Sequence, residues 1–207
     1  PPQAVDALLF GSVGTLVHLC ERQYKAFNQA LVEKGLPAWD KDTYVESLTS
    51  TGGQKRLAAW AQAQGLRLSS EEVAALHARK SALFQDAMRQ DGLEVRPGVV
   101  ELLKEARAQG IKTAMVSTTA KANIDAMMAS MAGLTADMFD LVVSGDDAAK
   151  YGRGKPTADP YLYAVKELNA KKPLAFEDTQ ISLQSPLAAG IPCIAVPNEW
   201  STGQDFS

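Results

Sequence analysis

Ala7-Leu8-Leu9-Phe10 is an apolar run that stops abruptly at Gly11-Ser12-Val13-Gly14-Thr15, and a chain that opens this way has few folds available to it. A run that is apolar at every residue is buried on both faces, as the strands of a parallel sheet are. The small residues behind it form a loop delivered at the strand's carboxyl end. From Arg96 onward the chain alternates. Pro97 opens a helix through Val100, Leu103 and Ala106 that Gly110 closes, and Ile111 to Val116 is a strand. Asn123 to Met131 is a helix with Ile124, Met127 and Met128 inward, and Leu141 to Val143 is a strand. Asp159 reads as an N-cap before Pro160, with Tyr161, Leu162, Val165 and Leu168 facing inward. Leu174 to Phe176 and Cys193 to Val196 are the last strands, with a helix ending at Gly190 between them. Strands alternating with helices predict an α/β fold with right-handed crossovers and a parallel sheet covered on both sides. Ligands of such sheets sit at the carboxyl ends of the strands.

Between the first strand and this alternating part lies a stretch with helical periodicity only. Glu21 to Lys34 carries Tyr24, Phe27, Ala30 and Leu31 on one face and stops at Gly35. A short helix follows near Thr43–Leu48. Gly52-Gly53 opens another, bearing Leu57 and Trp60 and ending at Gly65. Ser69-Ser70-Glu71-Glu72 reads as a capping box, behind which Val73, Leu76, Lys80, Leu83, Phe84 and Ala87 keep a stripe as far as Asp91-Gly92. Such a stretch is long enough for an inserted all-α subdomain. The expected division is 1–17 with 93–207 as the core and 18–92 as a helical cap, with hinges at Leu16 and Leu93.

Composition narrows the function by exclusion. A formal net charge of −3 gives no electrostatic case for nucleic acid or an anionic membrane as the main partner. Cys20 and Cys193 cannot build a disulfide framework, which suits a reducing compartment. No run approaches the ~20 apolar residues that a spanning helix needs. The chain begins at Pro1-Pro2 rather than at methionine, and a removed leader, a processed form and an incomplete chain all fit that start.

Four loops should meet at the carboxyl edge of the sheet: Gly11–Thr15, Ser117–Thr119, the loop with Lys155, and Glu177-Asp178. Ser117 and Thr118, past a buried strand and before a helix, are placed either to donate to a phosphate or to cap that helix. A loop lysine such as Lys155 is most often solvated, or it pairs with Asp178. A carboxylate pair at the end of a buried strand is costly without a partner, so Glu177-Asp178 is the better signal. Ser12 has no base near it in sequence, and alternation along an extended chain turns its side chain away from those of its neighbours.

In order and spacing these stretches resemble the haloacid dehalogenase-type phosphotransferases, whose first motif is four apolar residues followed by Asp-x-Asp-Gly-Thr-Leu. More narrowly, the chain resembles the β-phosphoglucomutase-like and CbbY-type sugar-phosphate phosphatases. The likeness rests on Ala26-Phe27-Asn28-Gln29-Ala30, Thr51-Gly52-Gly53 with Arg56, Arg96-Pro97-Gly98-Val99, Lys155-Pro156 with Asp159 and Tyr161, and Glu177-Asp178 with Ala188-Ala189-Gly190. It includes the tail Pro197-Asn198-Glu199 and Gln204-Asp205-Phe206-Ser207. The resemblance implies a Rossmann-like core, a helical cap, Mg²⁺ and a sugar bisphosphate. By position it implies that Ser117, with Thr118, holds phosphate, that Lys155 neutralises charge, that Arg56 holds a second phosphate, and that Asp178 and Glu177 contact the metal.

The departures fall on the chemistry. Gly11 stands where the family has its nucleophilic aspartate and Val13 where it has its acid/base. Gln54 replaces a cap lysine and Ser182 a glycine. Against the family's pattern, Val17–Tyr24 looks about a residue short and lacks, at the matching positions, the Glu and His that face the sugar. Valine cannot move a proton, and glycine cannot be phosphorylated. The expectation is therefore a pseudoenzyme without catalytic residues and without a cofactor, its Mg²⁺ site vestigial at Asp178 and Glu177. It would be kept as a subunit docked to protein partners in a larger assembly or as a sugar-phosphate binder, in bacterial cytoplasm or plastid stroma. The alternative is an active Mg²⁺-dependent sugar-phosphate phosphatase with weak or atypical chemistry.

Overall fold

The computed structural model describes residues 5–50 and 52–206, so Pro1-Pro2, Thr51 and Ser207 of the sequence patterns lie outside the described residues. Five parallel strands, β1 (Ala7–Phe10), β2 (Lys112–Val116), β3 (Leu141–Val143), β4 (Pro173–Glu177) and β5 (Cys193–Ala195), form one sheet in the order β3-β2-β1-β4-β5. The first strand is central, which is why all four of its residues are buried. Phe10 pairs with Met115 on one side and Phe176 on the other, so the loops after β1, β2 and β4 emerge together at one edge. The expected α/β parallel sheet is the fold observed.

Helices α1 (Cys20–Glu33), α2 (Lys41–Ser47), α3 (Gly53–Ala63) and α4 (Ser70–Asp91) follow β1 without an intervening strand. Both halves of the Ser69 capping box form: Ser69 Oγ accepts from Glu72 N (3.2 Å) and Ser69 N donates to Glu72 Oε2 (3.0 Å). Phe27, Leu31, Trp39, Tyr44, Leu57 and Trp60 make an apolar cluster among these helices. The insert does not keep its apolar surface to itself. Phe84 and Met88 of α4 join Met115 and Ile124 in the cluster on one face of the sheet. In return Trp200, from the turn after β5, packs among the cap aromatics, 5.1 Å from the Tyr44 ring and 5.5 Å from that of Tyr24.

The remaining helices are α5 (Val99–Ala108), α6 (Lys121–Ser130), the short α7 (Ala148–Tyr151), which periodicity did not announce, α8 (Asp159–Leu168) and α9 (Gln180–Ala188). Two expectations for α8 are corrected. Its N-cap is Ala158, because the Asp159 carboxylate turns back to accept from Arg153 N (2.9 Å). Leu162 is 51% exposed, and Tyr161 and Ala164 make the buried face. Arg96 ties the edge together, its guanidinium donating to Gly14 O (2.7 Å), Val196 O (2.7 Å) and Pro197 O (3.1 Å).

Candidate functional site

A cavity of about 470 Å³ lies between the carboxyl edge of the sheet and the helical insert, and Ser117, Thr118, Lys155, Arg56, Glu177 and Asp178 all line it. These are the six residues that the sequence reading singled out. The sheet edge is its floor and the faces of α3 and α4 form its roof.

On the floor, Ser117 continues β2, its N–H donating to Val143 O (2.9 Å), and its Oγ accepts from Thr119 N (3.0 Å). It does not cap α6, whose N-cap is Ala120 without a side-chain bond. Ser12 Oγ lies 2.7 Å from Ser117 Oγ, so Ser12 turns into the cavity rather than away from the site. The loop is a tight turn in which Leu16 N bonds Ser12 O, and strand alternation has ceased to apply there.

Lys155 is 4% exposed and its ammonium donates to Val116 O (2.8 Å) and to Glu177 Oε1. Its carboxylate partner is thus Glu177, not Asp178. Tyr161 OH donates to the same Oε1, and burial followed by the Glu177 charge holds that phenol well above its ordinary pKa. Asp178 is 6% exposed, accepting from Thr15 Oγ1 at Oδ1 (3.2 Å) and from Asn198 Nδ2 at Oδ2 (2.9 Å). Burial, then the neighbouring Glu177 charge, pushes its carboxyl up to about 7. Gly14, at φ 86°, is fixed by this packing, since a Cβ there would run into the Asp178 carboxylate. Ser182 sits in the first turn of α9 on the Thr179 hydroxyl (2.7 Å).

The family resemblance implies a magnesium ion here. The donors suited to it are Asp178, already bonded twice, and Glu177, one oxygen of which belongs to Lys155 and Tyr161. Gly11 and Val13 offer no side-chain oxygen. Among the described residues no three His, Cys, Asp or Glu side chains converge as a metal site. A hard cation that wants six oxygens in near-octahedral order does not fit this donor set.

The roof is cationic. Lys80 is 2% exposed, with its ammonium 4.5 Å from the Phe27 ring and 4.9 Å from the Phe84 ring, and no carboxylate pairs with it among the described residues. Burial, then Arg56, pulls it down to about 7. Arg56 donates to Ser50 O (2.9 Å) and Gln23 Oε1 (3.0 Å). His77 is driven to about 4 by burial and by Lys80. Gly53 leaves room for that imidazole, as a Cβ would stand 2.5 Å from it. Sequence reasoning missed His77, and it read Lys80 as one member of a helical stripe. A lysine inside such a stripe was the available signal.

This geometry has counterparts among known proteins. A family model described as haloacid dehalogenase-like hydrolase matches residues 5–190. Protein CbbY of Rhodobacter capsulatus is 35% identical over 207 residues, covering 98% of this chain and 90% of the relative. A probable pseudouridine-5'-phosphatase of Saccharomyces cerevisiae is 30% identical over 210 residues, covering 95% and 84%. Among solved structures, an Asp-to-Asn mutant of CbbY from Rhodobacter sphaeroides in complex with xylulose-(1,5)bisphosphate superposes with a TM-score of 0.90 at 31% identity, covering 99% of this chain and 91% of that one. A β-phosphoglucomutase from Clostridium difficile, at 18% identity and a TM-score of 0.79, shares the fold. These findings overturn the expectation that the chain is no enzyme. A hydrolase family model and a relative named as a probable phosphatase each cover most of its length.

Proposed function

Because this chain belongs to the haloacid dehalogenase-like hydrolases, we propose that it hydrolyses a phosphate ester of a sugar carrying a second anionic group. One observation carries the reading: a single cavity has hydroxyls and a lysine at its floor and, at its roof, cationic groups that no carboxylate answers among the described residues. Ser117 and Lys155 hold the oxygens of the phosphoryl group that departs, where charge develops during transfer. Arg56 and Lys80 hold the distant anion, and the bisphosphate bound by CbbY from Rhodobacter sphaeroides supports that division. The insert 18–92 acts as the cap that brings Arg56 and Lys80 over the floor.

Magnesium bound at such a site would draw charge from the phosphoryl oxygens. With Gly11 and Val13 in place, Lys155 and the hydroxyls take on that work, and hydrolysis runs without it. Val13 cannot protonate the leaving oxygen, so the turnover is slow.

Phosphate release from xylulose-1,5-bisphosphate and from sugar monophosphates, measured with Mg²⁺ and with a chelator, tests the proposal. The expected result is release that survives chelation, prefers the bisphosphate and falls at least tenfold in Lys155→Ala. Release no faster from the parent chain than from Lys155→Ala with every ester would overturn it.

A further inference from the structure

Parallel pairing of β1 with β4 sets Phe10 beside Phe176, and Gly11 N then donates to Phe176 O (2.9 Å). Gly11 and Glu177 are therefore neighbours at the ends of their strands, and Glu177 lines the cavity. With no side chain on Gly11, the Glu177 carboxylate leans over it. Its Oε2 lies 2.5 Å from where a Cβ of residue 11 would stand, and Thr15 Oγ1 lies at the same distance. Lys155 and Tyr161 both bond Oε1, and Oε2 carries neither of those bonds. Lys155 also holds Val116 O at the end of β2, so the ion pair bridges β2 and β4 across the end of β1. Ser12 and Ser117 present their hydroxyls to the same cavity. A carboxylate oxygen, an ammonium beside it and two hydroxyls are the parts that covalent phosphoryl transfer requires.

We propose that Glu177 is the nucleophile of this chain, its Oε2, which lies where a side chain of residue 11 would stand, taking the phosphoryl group. This rests on the hydrolase reading above. In the first step an Oε2–P bond forms while the bond from phosphorus to the ester oxygen breaks, and the electron pair leaves with that oxygen. Val13 has no proton to give, so the oxygen departs as an anion or takes a proton from water. In the second step water adds to phosphorus, the bond between phosphorus and the Glu177 oxygen breaks, and inorganic phosphate, a proton and the free carboxylate result. Lys155 stays on Oε1 throughout and offsets the charge that accumulates. The absence of a proton donor makes the first step depend steeply on the leaving group. A nitrophenolate, stable as an anion, leaves faster than a sugar alkoxide.

The test is to react the chain with p-nitrophenyl phosphate, quench in acid and map the label by mass spectrometry. One phosphoryl group on the peptide holding Glu177 is expected, released by hydroxylamine as an acyl phosphate is. In Glu177→Gln the label is expected to vanish and nitrophenolate release to drop ~100-fold. Glu177→Asp keeps the charge opposite Lys155 and withdraws the oxygen from Gly11, so it carries the test where the glutamine variant does not fold. Gly11→Ala presses a methyl on Oε2 and on Thr15 Oγ1 and should lower labelling. Label on Ser12 or any other residue, or release that Glu177→Gln and Glu177→Asp leave unchanged, overturns this inference and leaves the hydrolase reading standing. No release from any ester by the parent chain overturns both.

Discussion

The floor and the roof of the cavity handle charge in opposite ways. On the floor each charged group has an answer within the fold: Lys155 has Glu177, and Asp178 has Thr15 and Asn198. On the roof the cations meet no carboxylate among the described residues, with Lys80 against two phenyl rings and Arg56 on an amide and a carbonyl. A buried ammonium without a counter-ion is costly. The floor is complete in the free protein. On the proposed function, an anion completes the roof.

The contrast can be broken first at the floor. Lys155→Ala strands the Glu177 carboxylate at 1% exposure, and the loss of stability should be about 3–5 kcal/mol, read from denaturant midpoints at pH 7. Trp200→Ala removes the side chain that the floor's own loop sends into the roof. It is 7% exposed among Tyr24 and Tyr44, so about 3–4 kcal/mol should be lost in the same measurement.

Lys80→Met acts in the opposite direction. With the folded pKa near 7 and the ordinary value at 10.5, the unfolded chain holds this proton more tightly than the native one. The ammonium therefore destabilises the fold fully at pH below about 7. That penalty fades as pH rises toward 10.5, so native stability climbs over this window. The methionine variant should gain on the order of 3 kcal/mol at pH 7, with the gain shrinking as pH rises. Thermal melts across that range check it, and the variant should at the same time lose the preference for a bisphosphate. The smallest effect belongs to Ser12→Ala, which removes the hydroxyl bonded to Ser117 and should cost about 1 kcal/mol in the denaturant midpoint.

Legibility in the sequence followed the same boundary. The strands, the helical insert and the floor residues could be read because an apolar run ending in small or acidic residues suits little besides a buried strand feeding a loop. Partner choice could not. Whether Lys155 meets Glu177 or its neighbour Asp178 depends on which face of the sheet edge the lysine loop returns to, and spacing along the chain does not encode that. The inward turn of Ser12 was hidden because the strand ends just before it, so alternation gave the wrong direction. Trp200 was invisible as a cap residue, since its partners Tyr24 and Tyr44 lie far earlier in the chain and no periodicity links a loop to a distant helix. Lys80 was misjudged for the reverse reason: its place in a helical stripe was right, and its charge was ignored.

Within the turn after β5, Asn198 holds the Asp178 carboxylate, Ser201 Oγ donates to Asp178 O (2.6 Å), and Trp200 between them sits among the aromatics of the insert. One short turn thus grips both jaws of the molecule. If the helical half swings, the indole must swing with it or slide out of its nest. Either way the pull would reach Asp178 through Asn198 and Ser201, the residues on each side of the indole.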